Sequence, residues 1–297
     1  MKNTIFEGTA TALITPFSSD GKDVDFNAFQ KLIDFQLENS VDALVVAGTT
    51  GESPVLTREE KICLIRSAKC SCGSSTPVIA GTGSNNTIEA VKKSNDAEKE
   101  GVDGLLIVTP YYNKCTDEGL IRHYYYIADR VSVPIIVYNV PSRTGVNIKP
   151  EIYNALAEHK NIVGIKEASG NISSFVKTSA LCRNKISLYS GNDDQIVSMM
   201  AEGADGVISV ASNILPSVFT EIARLCLNGD FDTASDIHKR YLNLINLLFS
   251  EVNPIPIKYA CNYIFGLNNS LRLPLTEITA YNKSRITEEI DNLKIVI

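Results

Sequence analysis

A chain of 297 residues, 44% hydrophobic and 21% charged, is long enough to bury about 75% of its unfolded surface, which excludes disorder as its main character and demands no second, unrelated domain. Lys and Arg total 28 against 34 Asp and Glu, a net charge of -6, so a nucleic-acid polyanion finds no electrostatic footprint. The opening segment lacks the apolar core of a signal peptide and no run of about 18 apolar residues follows, so no membrane partner is expected and the chain reads as cytoplasmic.

Strand-like apolar runs occupy 8–17, 42–48, 77–83, 104–110, 134–140, 162–168, 187–193 and 206–212. Each interval leaves room for a helix and two short loops. After the second run, Thr57-Arg58-Glu59-Glu60 forms a capping-box pattern. Ile62, Ile65 and Ala68 then recur at steps of three, with Leu64 widening the buried stripe. Eight alternations of near-continuous apolar strands with helices predict a parallel sheet covered on its outer face and closed into a (β/α)8 TIM barrel over residues 1–225. Beyond that the alternation stops. Segments 230–249, 254–265 and 282–292 read as helices, with Asn253-Pro254 and Pro256 marking a break, so 226–297 is expected to be a C-terminal helical extension.

Seven cysteines, at 63, 70, 72, 115, 182, 226 and 261, form an odd, scattered set without a Cys-x-x-Cys pair and suit reduced thiols better than disulfides. His123, His159 and His238 each fall in a segment that reads as helical, with no second histidine nearby to make a zinc site.

Barrel enzymes carry their working side chains at the C-terminal ends of strands. Lys166 stands there, closing the run Asn161-Ile162-Val163-Gly164-Ile165-Lys166. If Val163 and Ile165 face the helices, Gly164 and Lys166 face the interior. A lysine so placed loses hydration, its pKa falls, and a neutral amine becomes available to attack a carbonyl and form a Schiff base. The alternative is a lysine that snorkels to the rim or pairs with Glu167. Tyr138, at the parity of Ile136 on the preceding strand, puts a phenol beside Lys166 that is able to donate and accept protons, unless it is a barrel tyrosine with a satisfied hydroxyl. Gly48-Thr49-Thr50-Gly51-Glu52 offers two hydroxyls and several backbone N–H groups to a small carboxylate, or is simply a tight turn. Arg143 lies just beyond Tyr138 and either grips a second carboxylate in a two-donor fork or is a solvated surface arginine. Tyr111-Tyr112 and Tyr124-Tyr125-Tyr126 are aromatic clusters, the second better suited to core or interface packing.

GTTGE at 48–52, AGTGSN at 80–85, TPYYN at 109–113, YNVPSRTG at 138–145, GIKEASG at 164–170, SGND at 190–193 and GVISV at 206–210 resemble, in this order and spacing, the N-acetylneuraminate lyase family of class I aldolases. The likeness spans essentially the whole chain. It implies an imine between Lys166 and pyruvate, with Tyr138 shuttling protons. Thr49 would link Tyr138 to Tyr112, which in the family reaches across a tight dimer interface into the neighbouring site. Thr50 would hold the pyruvate carboxylate, the backbone at Ile208 would line the pyruvate site, and Arg143 would receive L-aspartate 4-semialdehyde. The implied reaction gives 4-hydroxy-tetrahydrodipicolinate, a step of lysine and diaminopimelate biosynthesis, with no metal or organic cofactor. The implied assembly is a homo-oligomer, a tetramer built from tight dimers.

Sialic acid lyases and keto-sugar-acid aldolases share the lysine and tyrosine, but Arg143 within PSRTG suits a short acidic aldehyde. A non-catalytic binding barrel is a further alternative, predicting no covalent chemistry at Lys166. A phosphosugar isomerase fits poorly, because Asp193 and Asp194 follow the seventh run where a phosphate grip belongs. Members inhibited by lysine commonly carry histidines early in the helix after the second strand, where this chain has Arg58 and Lys61. Two cations there imply weak or absent feedback by L-lysine, although Asn85, Glu89 and Tyr111 still match the pocket.

Overall fold

The structure, a computed structural model, describes residues 2–295. Its first half runs β1 Gly8–Ala12, α1 Phe26–Glu38, β2 Ala43–Val46, α2 Arg58–Cys72, β3 Val78–Gly81, α3 Thr87–Lys99, β4 Gly104–Val108, α4 Asp117–Ala128 and β5 Ile135–Asn139. The short α5 Pro141–Thr144 and α6 Pro150–Leu156 precede β6 Ile162–Glu167, α7 Ile172–Cys182, β7 Ser187–Ser190, α8 Ile196–Ala201 and β8 Gly206–Ser209. Four helices follow: α9 Pro216–Leu227, α10 Phe231–Leu247, α11 Ile255–Phe265 and α12 Ala280–Asn292. The strands pair in parallel in chain order, and β8 pairs back onto β1, closing the (β/α)8 barrel.

Each apolar run found in the sequence contains a strand, but the strands are shorter because their last residues leave the ladder to build the loops of the barrel mouth. Outward side chains such as Leu44, Val46, Leu105, Ile107 and Ile165 pack under the helices. Inward ones, among them Ala10, Val45, Leu106, Ile136, Tyr189 and Ile208, form a separate inner cluster. Phe6 stacks on Tyr189 at 4.3 Å between ring centroids, and the Tyr189 hydroxyl donates to the Phe6 carbonyl at 2.7 Å. The barrel is therefore plugged, and space for a ligand exists at its mouth.

One irregularity sets the phase of β6. Its register on β5 jumps from Ile135 opposite Ile162 to Ile136 opposite Gly164, leaving Val163 as an extra residue. Both Ile162 and Ile165 consequently join the outer core, while Gly164 meets the inward Tyr189 ring and Ile136 side chain. The inward placement of Lys166 agrees with simple alternation, but Ile162 does not.

Local signals account for several helix starts. Thr57 Oγ1 accepts from Glu60 N at 3.1 Å and Glu60 Oε2 accepts from Thr57 N at 2.8 Å, completing the capping box. Leu64, Ile65 and Ala68 are buried as the stripe predicts. Ile62 is only half-buried and lines a surface cleft instead. Of the histidines, His123 lies on α4 and His238 on α10, but His159 sits in the turn after α6, where its ring meets Asp129 at 3.1 Å.

The last helices are fastened to the loop after β2 by a dry ion pair. Lys258 on α11 donates to Glu52 Oε1 at 2.6 Å, each side chain being 1% exposed. Lys258 also donates to the Ser270 carbonyl at 2.7 Å, and Arg272 N donates to Glu52 Oε2 at 3.2 Å. The Lys258 ammonium and the Arg272 guanidinium both lie over the Phe17 ring, 4.1 and 4.3 Å from its centroid. Among the described residues, no helix is long and apolar enough to cross a membrane.

Candidate active site

Lys166 is the penultimate residue of β6, its side chain turned into the mouth and 5% exposed. Its cross-strand partner on β5 is Tyr138, and the ammonium stands 4.5 Å from the centroid of that ring. Among the described residues no carboxylate pairs with it: Glu167 points the other way, accepting from Asn139 Nδ2 at 3.1 Å, Tyr153 Oη at 2.6 Å and Ser169 N at 2.7 Å. That removes the reading of Lys166 as a rim lysine or a partner of Glu167. Burial pushes the amine down to about 8, with Arg143 acting in the same direction and Asp193 opposing. Gly191 makes the room: a Cβ there would stand 2.7 Å from Ala168 Cβ and 3.1 Å from Lys166 Cε.

Tyr138 is buried as well. Burial raises its phenol, while Arg143 and the Thr49 hydroxyl pull it back toward the phenolate. Thr49 is half-buried and Thr50 buried in the turn after β2, a turn bracketed by Ala47 at φ 52° and Glu52 at φ 54°. Two non-glycine residues in the left-handed region are unusual, and they hold the threonines at the edge of the mouth. Arg143 sits on α5, started by Pro141 at its first turn and ended by Gly145 at φ 69°. Its guanidinium donates to the Asn253 carbonyl at 2.9 Å.

A cavity of about 580 Å³ joins these groups, lined by Thr49, Thr50, Tyr138, Arg143, Lys166 and Asn253. A smaller one of about 250 Å³ adjoins it, sharing Thr49, Tyr138 and Arg143 and continuing to Tyr111 and Lys93. Five of the seven residues singled out from the sequence thus converge. Ile208 is fully buried in the inner cluster on β8, and Val210, two residues on, reaches the cavity instead. Tyr112 is not brought to this chain's own site: it is 90% exposed, on backbone at φ 70°. In the other aromatic cluster, Tyr124 is core, donating to the Ile107 carbonyl at 3.0 Å, and Tyr125 donates to the Ala155 carbonyl at 2.7 Å.

Asn253 is not singled out by the sequence reading as part of the mouth, and Asp193 only by its place after the seventh strand. Asp193 Oδ2 accepts from Val210 N at 3.0 Å and Ala211 N at 2.8 Å, occupying the amides after β8 that a phosphate would need. Those two amides are thereby withdrawn from any phosphate grip. Asn253 appears in the sequence only as part of a helix break, yet its Nδ2 donates to Thr50 Oγ1 at 3.0 Å.

A dry amine facing a phenol at the mouth of a plugged parallel barrel is the working centre of the class I aldolases, lyases that act through an imine on a lysine. The model of the dihydrodipicolinate synthetase family matches residues 5–293, and the chain belongs to that family. It is 47% identical over 292 residues to the 4-hydroxy-tetrahydrodipicolinate synthase of Alkaliphilus oremlandii, covering 98% of this chain and all of that one. The crystal structure of dihydrodipicolinate synthase from Aquifex aeolicus superposes with a TM-score of 0.95 at 42% identity, over 98% of this chain and 99% of that one. The enzyme from Thermotoga maritima gives 0.96 at 39%, over 99% of this chain and 100% of that one.

The lowered amine carries a sign. The ordinary lysine value is 10.5 and the folded value about 8, so below pH 8 the fold holds a charge it disfavours, and stability from this site rises as pH climbs from about 8 to 10.5. Lys166→Met is therefore expected to raise the unfolding free energy at pH 7 by about 3 kcal/mol at most. The gain should shrink above pH 8 in urea titrations, and a variant no more stable than its parent at pH 7 would contradict the assignment.

Proposed function

We propose that this chain condenses pyruvate with L-aspartate 4-semialdehyde to give 4-hydroxy-tetrahydrodipicolinate, the activity borne by the relatives it matches over nearly their whole length. The observation that carries this reading is the buried, unpaired Lys166 amine against the Tyr138 ring. Neutral Lys166 Nζ attacks the ketone carbon of pyruvate, and loss of water leaves a protonated imine. Loss of a methyl proton gives an enamine, whose carbon attacks the aldehyde and leaves a hydroxyl on the former aldehyde carbon. The amine of that product then attacks the imine carbon, closing the ring and releasing Lys166. Tyr138 passes the protons, Thr50 holds the pyruvate carboxylate and Arg143 that of the aldehyde. The iminium is itself the electron sink, so the reaction requires no metal or organic cofactor.

Borohydride added with pyruvate is expected to trap the adduct on Lys166, located by peptide mass analysis. Lys166→Ala should abolish both trapping and turnover, and Tyr138→Phe should lower kcat by about 10²-fold or more. Normal turnover by Lys166→Ala would refute the mechanism.

The exposure and left-handed backbone of Tyr112 favour a second element of the reading. Its ring completes the site of a second copy in a tight dimer, linked to Tyr138 through Thr49, and such dimers pair as a tetramer. Lys166→Ala and Tyr112→Phe, each poorly active alone, should regain activity when co-expressed, because a mixed dimer contains one complete site. No recovery would overturn this arrangement.

Weak feedback by L-lysine is supported by a cleft of about 510 Å³ between α2 and α3, where Arg58, Lys61, Lys92, Lys93 and Lys99 outnumber Glu89 and Asp96. Burial first, and then the neighbouring Lys93, push Lys61 down to about 8. L-lysine at sub-millimolar concentration is expected to leave turnover unchanged in a steady-state assay, and strong inhibition would reject this reading.

A further inference from the structure

Asn253 stands where the last helices meet the barrel mouth, just before α11. Its buried side chain donates from Nδ2 to Thr50 Oγ1 at 3.0 Å, and its main-chain oxygen accepts from Arg143 Nη2 at 2.9 Å. It therefore touches both groups assigned above to carboxylates, and it lines the cavity that contains Lys166. The segment is tied from behind. Glu251 Oε1 accepts from Thr279 Oγ1 at 2.6 Å, Thr279 N at 3.1 Å and Asn282 Nδ2 at 2.7 Å, at the start of α12. The amide is thus delivered to Thr50 from a fixed backbone.

A threonine hydroxyl has one proton and two lone pairs, and it rotates to suit whatever is nearest. An N–H that fills a lone pair turns the proton away, so the hydroxyl meets a ligand as a donor, the only role a carboxylate accepts. Turning the amide over would present Oδ1 to the Thr50 proton and withdraw that proton from the ligand, so the observed orientation, Nδ2 toward Thr50, is the one that leaves the hydroxyl a donor.

We propose that Asn253 is a positioning residue: it commits the Thr50 hydroxyl proton to the pyruvate carboxylate, while its main-chain oxygen aims Arg143 at the carboxylate of the second substrate. This rests on the reading of Thr50 and Lys166 given above. The side chain serves the first substrate and the backbone the second, so a side-chain substitution separates the two.

The test measures the pyruvate concentration that half-saturates borohydride trapping on Lys166, together with steady-state constants for both substrates. Asn253→Ala is expected to raise the half-saturating pyruvate about tenfold, with kcat at saturating pyruvate and the KM for the aldehyde changed by less than about threefold. Asn253→Asp keeps the shape but offers only acceptors, so it takes the Thr50 proton and repels pyruvate; its half-saturation should rise further. In a Thr50→Val background, Asn253→Ala should add nothing to the pyruvate requirement. Unchanged half-saturation in both Asn253 variants, or an equal rise in the Thr50→Val background, would overturn the proposal. Thermal melts establish that each variant is folded, and the isosteric Asp form carries the test if the Ala form is not. Should the reading of Lys166 itself be wrong, the parent protein is not trapped at all, whereas failure of the Asn253 proposal leaves parent trapping intact.

Discussion

One uncompensated charge constrains the rest of the structure. An ammonium held dry at the end of β6, without a carboxylate partner among the described residues, is disfavoured by several kcal/mol unless it gives up its proton. Barrel closure makes the arrangement possible. In an open sheet a lysine of this length reaches water along an edge. Here the strands close around it, Tyr189 and Phe6 fill the space below, and Gly191 leaves only the room the side chain needs. The Tyr138 ring offsets part of the cost through its negative face. Glu167, next in sequence, is kept from neutralising the ammonium by three donors on the outer side of the barrel.

The turn after β2 depends on the last helices in a comparable way. Ala47 and Glu52 are both left-handed, a conformation costing of order 1 kcal/mol or more for a residue with a Cβ. Such strain persists only where the surroundings over-determine it. Lys258 and Arg272 do this by holding the Glu52 carboxylate from two directions. A buried ion pair adds little net stability compared with a well-packed apolar substitute. Its contribution here is positional: it fixes Glu52, hence the path of the chain through Thr49 and Thr50.

The barrel was legible in the sequence because its strands are buried on both faces and so stand out as continuous apolar runs. Lys166 was legible for the opposite reason, being the one cation at the end of such a run. Its phase was right because the extra residue Val163 lies before Gly164; the same bulge placed Ile162 on the face alternation denied it. Thr49 and Thr50 follow β2, Tyr138 lies on β5 and Arg143 just beyond it, all at strand ends where a barrel carries its working side chains. Asn253 was not legible, since it follows no strand and its partner Thr50 lies 203 residues away. A contact of that kind leaves no periodicity behind. Asp193 was legible by its place after the seventh strand, but its capping role was not, because the amides of Val210 and Ala211 that it holds belong to a different βα unit.

The mouth offers a hydroxyl and a guanidinium as two different grips for carboxylates, and the division suits an imine. In the proposed reaction the amine must start neutral and end as a cation. A guanidinium beside the first carboxylate would favour the neutral amine but oppose the iminium that follows. A hydroxyl has no such effect: in the reading proposed above, Thr50, offered as a donor by Asn253, would grip the pyruvate carboxylate and leave its negative charge free to stabilise the positive nitrogen as it forms. In the same reading Arg143, set on α5 and tied to the Asn253 carbonyl, would serve the second substrate, whose carboxylate arrives after the iminium has become a neutral enamine. Asn253 would serve both steps in that reading, because it supplies a proton donor to one neighbour and an acceptor to the other while carrying no charge of its own.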